Sequence, residues 1–132
     1  MSHTVINPAG LHNPVEYGYS HLVDAPSPGI VLVAGQYASD TEGHVMSADF
    51  AQQVERSFEN LATALAAVGL DTSHVVRLGT YIVGHEPGRL DTLLAVIKRI
   101  WGDAPPTQTL LGVAALALPD MLFEVDAIAV RP

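Results

Sequence analysis

The feature that most constrains the fold lies in residues 104–130, where two apolar runs flank a Leu-Pro-Asp turn. In the second run, residues two apart point to the same side of a β-strand. One side of this strand is then entirely apolar, and the other carries two acids among apolar residues (Leu122, Glu124, Asp126, Ile128 and Val130). Burying a carboxylate beside leucine and isoleucine is unfavourable unless a partner or a function compensates. Glu124 is therefore the first candidate functional residue.

The position of Glu124 allows two interpretations. The residue is either an acid paired with a donor at a contact between subunits, or a general acid or base in a cleft that excludes water. Tyr19, at the start of a strand, and Gln108, at a strand edge, are each typical of structural positions. Taken singly, they do not decide between the two interpretations.

Hydrophobic periodicity predicts elements in the order strand, strand, helix, strand, helix, strand, strand. Residues 1–18 have the proline and glycine content of an irregular arm, and the segment DAPSPG is typical of a turn that joins the first two strands as a hairpin. Ser47 is placed to cap the first helix and Gly69 to end it, while Pro87 can open the second helix and Gly102 follows its end. The predicted strands are residues 19–23, 30–36 and 75–83 and two more within 104–130.

The composition indicates contact with other subunits. Two amphipathic helices can cover only one face of the predicted sheet, yet its strands are apolar on both faces. The chain is 48% hydrophobic and only 15% charged, which suggests that some apolar surface is reserved for assembly. We therefore expect residues 1–132 to form one domain that assembles as a homo-oligomer.

Charge and residue counts argue against several classes of function. Six Lys and Arg against fourteen Asp and Glu give a formal charge of −8, so nucleic acids and anionic membranes are not expected partners, and RNA cleavage is not expected. The chain has no cysteine for thiolate catalysis, and its six histidines lack the spacing of paired metal ligands. No phosphate-binding or nucleophile-elbow motif occurs, so no metal or cofactor is predicted. No apolar run approaches the ~20 residues of a membrane helix and no leader pattern opens the chain, so a cytoplasmic protein is expected.

The chain contains several short motifs: Gly18-Tyr19-Ser20, Val33-Ala34-Gly35-Gln36, Ala66-Ala67-Val68-Gly69-Leu70, Val75-Val76-Arg77 with Tyr81, Pro105-Pro106-Thr107, and the closing strand FEVDAIAV. Together these motifs resemble the YjgF/RidA family over about residues 17–130. The resemblance implies a chorismate-mutase-like α+β fold, with two helices on one face of a mixed sheet, that assembles as a trimer with clefts between subunits. It also implies hydrolysis, without a cofactor, of enamines and imines derived from amino acids, which yields keto acids and ammonia.

The resemblance also implies roles for individual residues. In that family an arginine binds the substrate carboxylate, and a glutamate on the last strand positions the attacking water. The glutamate corresponds to Glu124, a cleft tyrosine to Tyr19, and the arginine position to Gln108. Two further cleft positions, Ala34 before Gly35 and Leu94 in the second helix, are more apolar than is usual in the family.

A glutamine in place of the arginine weakens the expected anchoring of a carboxylate. Neutral hydrogen bonds contribute about 0.5–1.5 kcal/mol and charged ones about 1.5–3 kcal/mol, so hydrolysis of 2-imino acids is expected to be slow unless Arg77 supplies the anchor. Two functions stay open. The first is a hydrolase that acts on an enamine, imine or related neutral substrate through a water held by Glu124. The second is a non-catalytic trimeric protein that binds a small ligand.

Overall fold

The computed structural model describes residues 3–7, 9, 13, 15–17, 22–24 and 29–132. In this part of the chain, two long helices separate three groups of strands. Short 3₁₀ helices span Val15–Tyr17 and Thr72–His74. The elements are β1 (Thr4–Ile6), β2 (Leu22–Asp24), β3 (Ile30–Gln36), α1 (Phe50–Ala66), β4 (Val75–Val83), α2 (Pro87–Trp101), β5 (Thr107–Val113) and β6 (Phe123–Val130).

The main sheet has the strand order β3-β6-β4-β5. β6 is central and pairs antiparallel with both β3 and β4, while β5 is parallel to β4. A parallel pair needs a long crossover, and α2 supplies it between β4 and β5. β6, the last strand of the chain, therefore lies between β3 and β4, although β3 is far from it in the sequence.

The hydrophobic core lies between the helices and one face of this sheet. Apolar residues of α1 recur every three or four positions, which gives the helix one apolar side. Alternate residues of β6 face them, and burial of each large apolar side chain, such as Phe123 or Val125, contributes about 1.5–3 kcal/mol. Buried members of the core include Val54, Phe58, Leu61 and Leu65 of α1, Leu93 and Ile97 of α2, Leu78 and Ile82 of β4, and Phe123, Val125, Ala127 and Ala129 of β6.

A buried glutamine of α1 fixes the loop that enters β6. The side-chain amide of Gln53 donates to the carbonyl oxygens of Ser47, at 2.8 Å, and Asp120, at 2.9 Å. Its Oε1 accepts a hydrogen bond from the backbone N–H of Leu122 at 2.8 Å. Because a buried polar group without a partner is costly, these three bonds hold the start of β6 against α1.

The α+β class and the mixed sheet with two helices on one face are confirmed, and three local expectations are wrong. β2 pairs with β1 instead of forming a hairpin with β3. Turn residues in the sequence predict that the chain changes direction, but they do not predict which strands pair. β1 itself lies in the expected irregular arm. Asp49, whose Oδ2 accepts from the backbone N–H of Gln52 at 2.9 Å, caps α1, whereas Ser47 Oγ accepts from Asp49 N. The expected end of α1 is confirmed: the last helical residue is Ala66, and Gly69, with a φ of 74°, closes the final turn, where Gly69 N donates to Ala66 O and Leu70 N donates to Leu65 O, both at 3.0 Å.

The face of the main sheet that turns away from both helices, called here the open face, is apolar at its edges. On β3, Leu32 is 74% exposed and Ile30 is 64% exposed, and Leu111 on β5 is 49% exposed. Several large apolar side chains on one sheet face mark a surface for protein contact. None of the helices in the described ranges has the length and hydropathy that a membrane crossing requires.

We expect the open face to mediate self-association. Light scattering of the wild-type protein should report a mass about three times the 14.0 kDa of one chain. Leu32→Glu should shift the protein towards the monomer, because a carboxylate would have to be desolvated at the contact. Leu118→Glu, which alters an exposed leucine of the loop between β5 and β6, is the matched control. A wild-type monomer at micromolar concentration, or equal effects of the two variants, would contradict the expectation.

Candidate functional site

Two carboxylates stand side by side on the open face of β6. Glu124 lies opposite Tyr81 of β4, and Asp126 lies opposite Gly79. Both acids are half-buried, although the neighbouring β6 residues that face the helices are fully buried. The alternation of β6 therefore separates a dry core from a polar centre on the open face.

A β-bulge in β3 lies directly beside these acids. Val33 pairs with Ala127 and Gln36 pairs with Val125, so two residues, Ala34 and Gly35, oppose the single residue between those partners. Bulges bend a strand and redirect its side chains, and they are frequent next to active sites. Ala34 and Gly35 are both exposed, so the bulge opens the backbone of β3 towards the carboxylates.

The Glu124 carboxyl group packs directly on the backbone of Gly35. A Cβ atom at position 35 would lie 2.7 Å from Glu124 Cδ and 2.8 Å from Glu124 Oε2, closer than real side chains approach one another. Only glycine allows the acid to occupy this place. The predicted pair of Gly35 and Glu124 is thus in contact, and Ala34 adjoins it.

A second glycine makes room for the other acid. The Tyr81 hydroxyl donates a hydrogen bond to Asp126 Oδ2 at 2.9 Å. A Cβ atom at Gly79 would collide with Asp126 Oδ1 and would lie 2.7 Å from the Tyr81 hydroxyl oxygen. The glycine therefore permits the tyrosine to reach diagonally across β4 and β6. This bond fixes the orientation of the Asp126 carboxylate.

The environment of the acids changes their ionisation. Burial raises the pKa of Glu124, and the nearby charge of Asp126 raises it further. The hydrogen bond to Asp126 raises the pKa of Tyr81, and burial adds to the effect. Glu124 is consequently a stronger base than an exposed glutamate, and Tyr81 remains a hydrogen-bond donor at neutral pH.

A shallow groove of about 250 Å³ runs across the open face beside this centre. It begins at Arg77 on β4, crosses β6 and ends at the bulge of β3. The far wall is the backbone of Gly35, against which the Glu124 carboxyl group packs. Residues that line the groove include Leu32, Ala34, Gly35, Arg77, Asp126 and Ile128.

Two of the residues predicted for substrate binding, Gln108 and Leu94, do not join this group in one chain. Gln108 pairs with Leu78, which is fully buried beneath the helices, so Gln108 points to the helix side of the sheet and away from Glu124. Leu94 is half-buried on α2, in the helix layer. Tyr19 lies outside the described residues. On β5, the residue that shares the open face with Asp126 is Thr109, opposite Gly79.

Gly79 is a site residue that the sequence patterns did not single out, and Tyr81 belonged to a family motif without a role assigned to it. Their alternation with buried Leu78, Thr80 and Ile82 places them on one face, and this was a usable signal. The pairing of β4 with β6, which brings these two residues next to Glu124 and Asp126, could not be predicted from the sequence. Within the described ranges, no group of three or more His, Asp or Glu side chains is placed to hold a metal ion.

Comparison with known proteins gives consistent matches over almost the whole chain. A protein-family model described as Endoribonuclease L-PSP matches residues 11–131. The chain is 34% identical over 113 residues to Protein DfrA of Myxococcus xanthus, covering 85% of this chain and 84% of that protein. It is 31% identical over 134 residues to the RutC family protein YjgH of Escherichia coli, covering 100% and 98% of the two chains. A crystal structure of the Rid-family protein YyfB from Yersinia pestis, 35% identical, superposes with a TM-score of 0.94 and covers 99% of this chain and 100% of that one.

The contact between Gly35 and Glu124 can be tested by titration. Gly35→Ala should displace the Glu124 carboxyl group towards solvent and so lower its raised pKa, because burial is the largest cause of the shift. The change can be followed by NMR of the side-chain carboxyl carbon. Gly112→Ala, in β5, is the matched control, since a Cβ atom there would meet His85 and not an acid. An unchanged pKa of Glu124 in Gly35→Ala would refute the contact.

Proposed function

Because the chain belongs to the YjgF/RidA family, represented by the Endoribonuclease L-PSP model, we propose that it hydrolyses a small enamine or imine. In this proposal Glu124 holds the attacking water, and a neighbouring subunit of a homotrimer completes the cleft. The single observation that carries the proposal is the Glu124 carboxyl group on the Gly35 backbone. It is a base of raised pKa at the edge of an open groove.

The proposed reaction adds one water to a C=N bond and releases ammonia. Glu124 accepts a proton from the water while the water oxygen bonds to the imine carbon. The same proton is then available for the nitrogen of the resulting carbinolamine. Glu124 next accepts the hydroxyl proton of the carbinolamine and passes it to the nitrogen as the C–N bond breaks, so ammonia leaves and a C=O group remains without an oxidant, a reductant or a cofactor. An enamine enters the sequence after protonation of its carbon converts it to the imine.

The Tyr81–Asp126 pair supports this reaction through its charge and its fixed orientation. Asp126 raises the basicity of Glu124 through its negative charge, and an imine nitrogen that becomes protonated would be attracted to both carboxylates. Tyr81 restrains Asp126 through a hydrogen bond of 2.9 Å, so the charge is oriented before the substrate arrives. We assign Asp126 and Tyr81 positioning roles and Glu124 the catalytic one.

RNA cleavage is the weaker candidate, although the matching family description names an endoribonuclease. The formal charge of −8 and two carboxylates at the centre of the open face disfavour the approach of a phosphodiester. Contacts of Tyr19, Gln108 and Leu94 with a substrate stay predictions. In the proposed trimer, these residues of one subunit would contact a ligand that lies in the cleft with its neighbour.

The central test is the activity of Glu124→Gln. Wild-type protein should accelerate the release of ammonia from a freshly generated imine over its spontaneous hydrolysis in buffer, and the variant should lose about 10²-fold or more of that rate, because glutamine cannot accept the proton. Glu59→Gln alters an exposed glutamate of α1 and is the control. Saturable binding of a keto acid without any acceleration by the wild type would favour a non-catalytic ligand-binding protein instead.

The pH dependence of the rate tests the coupling between the two acids. The base must be deprotonated, so the rate should rise with pH through the raised pKa of Glu124 and then level off. Asp126→Asn removes the negative charge that helps raise this pKa, so the rising limb should move to lower pH. Asp91→Asn, in an exposed position of α2, should leave the limb in place. A limb that moves to higher pH in Asp126→Asn would contradict the assignment.

A further inference from the structure

We propose that a cavity between β1 and the C-terminal end of α2 is a second binding site, which takes a neutral monocyclic aromatic molecule that carries a hydroxyl group. This cavity, called here the Trp101 cavity, has a volume of about 180 Å³. It shares no lining residue with the groove on the open face, so the inference does not depend on the proposed hydrolysis. Residues that line it include His3, Val5, Thr72, Val75, Ile100 and Trp101.

The segment that begins β1 and the 3₁₀ helix before β4 form two walls of the cavity. His3 and Val5 are two residues apart in an extended segment, so both face the cavity. Asp71 Oδ1 accepts a hydrogen bond from the backbone N–H of Ser73 at 2.9 Å. This bond caps the 3₁₀ helix that carries Thr72, so the second wall has a fixed backbone.

Trp101 supplies a rigid aromatic wall. Its indole N–H donates to the carbonyl oxygen of Thr72 at 2.8 Å, and its ring meets the Phe58 ring edge to face, with the ring centroids 5.9 Å apart. The side chain is half-buried and is held from two sides, so its orientation is set before a ligand arrives. Aromatic rings form favourable offset or edge contacts with one another. This wall therefore suits an aromatic ligand better than an aliphatic one of the same size.

A buried histidine nitrogen at this cavity lacks a partner. His3 Nδ1 is buried and forms no hydrogen bond within the described part of the chain. Such an atom is costly, because folding removes its bond to water without a replacement. Burial lowers the pKa of His3, and the nearby charge of His74 lowers it further, so the ring is neutral at neutral pH. In a neutral imidazole Nδ1 either donates or accepts, and a hydroxyl group can satisfy it in both cases.

The size and charge of the cavity narrow the class of ligand. An engineered apolar cavity of about 150 Å³ binds benzene, so a cavity of about 180 Å³ accommodates one aromatic ring with a small substituent. Among the described residues that line it, none is Asp, Glu, Lys or Arg, so a charged ligand would lose water there without gaining a counter-ion. A phenol meets these conditions, with its ring against Trp101 and its hydroxyl group towards His3.

Isothermal titration calorimetry with phenol, toluene and cyclohexanol tests both features of the ligand. Toluene has the shape of phenol without the hydroxyl group, and a wholly apolar cavity would prefer it, because a hydroxyl group loses its water on binding. The wild type should instead bind phenol more tightly than toluene by about threefold to tenfold, as one hydrogen bond contributes, and cyclohexanol more weakly than phenol. No binding of phenol, or binding of either other compound as tightly as phenol, would overturn the inference.

Variants of His3 test the role of its nitrogen. His3→Phe keeps an aromatic ring and removes the nitrogen, so toluene should become the tighter ligand. His44→Phe, which alters an exposed histidine after β3, is the matched control and should keep the order of the wild type. If His3→Phe weakens both ligands, His3→Asn decides, because its amide reaches the position of Nδ1. Tighter binding of phenol by this variant supports the site, and tighter binding of toluene contradicts it.

NMR spectra locate the bound phenol. Phenol should shift the backbone amide signal of Thr72 and the single indole N–H signal, since Trp101 is the only tryptophan of the chain. The amide signals of Gly35 and Asp126, at the groove on the open face, should stay in place. Shifts at Gly35 and Asp126 without shifts at Thr72 and Trp101 would overturn the inference and leave the proposed hydrolysis untouched.

Discussion

The structure depends on the two unlike faces of β6. One face carries Phe123, Val125 and Ala127 into the core, and the other presents Glu124 and Asp126. Because the period of a strand is two residues, a slip of one position would bury both acids under the helices and expose the core residues. Pairing with β3 and β4 on both sides, together with the hydrogen bonds of Gln53 to the entering loop, makes that slip unfavourable. The site and the core are thus specified by the same register.

Placing two acids on a partly apolar face is unfavourable, and the surrounding residues compensate locally. Gly35 and Gly79 remove the Cβ atoms that would collide with the carboxyl groups. Tyr81 satisfies one oxygen of Asp126, and the bulge at Ala34 and Gly35 opens the backbone towards the groove. Glu124 has the less compensated environment of the two, and burial raises its pKa. A carboxylate with a raised pKa is suited to accept a proton.

The two sides of the sheet also separate Arg77 from Gln108, the residue that corresponds to the family's arginine position. Gln108 pairs with buried Leu78 on the helix side, whereas Arg77 lines the groove on the open face. Edge strands β3 and β5 carry exposed apolar side chains on that face. In the proposed trimer, neighbouring subunits would cover these edges and exclude water around the polar centre, which strengthens the interactions of Arg77, Asp126 and Glu124 with a ligand.

Local patterns in the sequence determined the helices and most strands of this protein. The spacing of apolar residues in α1, Pro87 at the start of α2 and the alternation of β6 each act within about ten residues, so the chain alone specifies them. The same alternation placed Glu124 and Asp126 together. Only the tertiary structure decided which strands meet: β3 joins β6 and leaves β2, and the bulges at Val76 and at Ala34-Gly35 shift the register of their neighbours. Those shifts arise from pairing between residues far apart in the chain. For that reason the contact of Gly35 with Glu124, the reach of Tyr81 to Asp126, and the opposite facing of Gln108 and Arg77 could not be derived from sequence spacing.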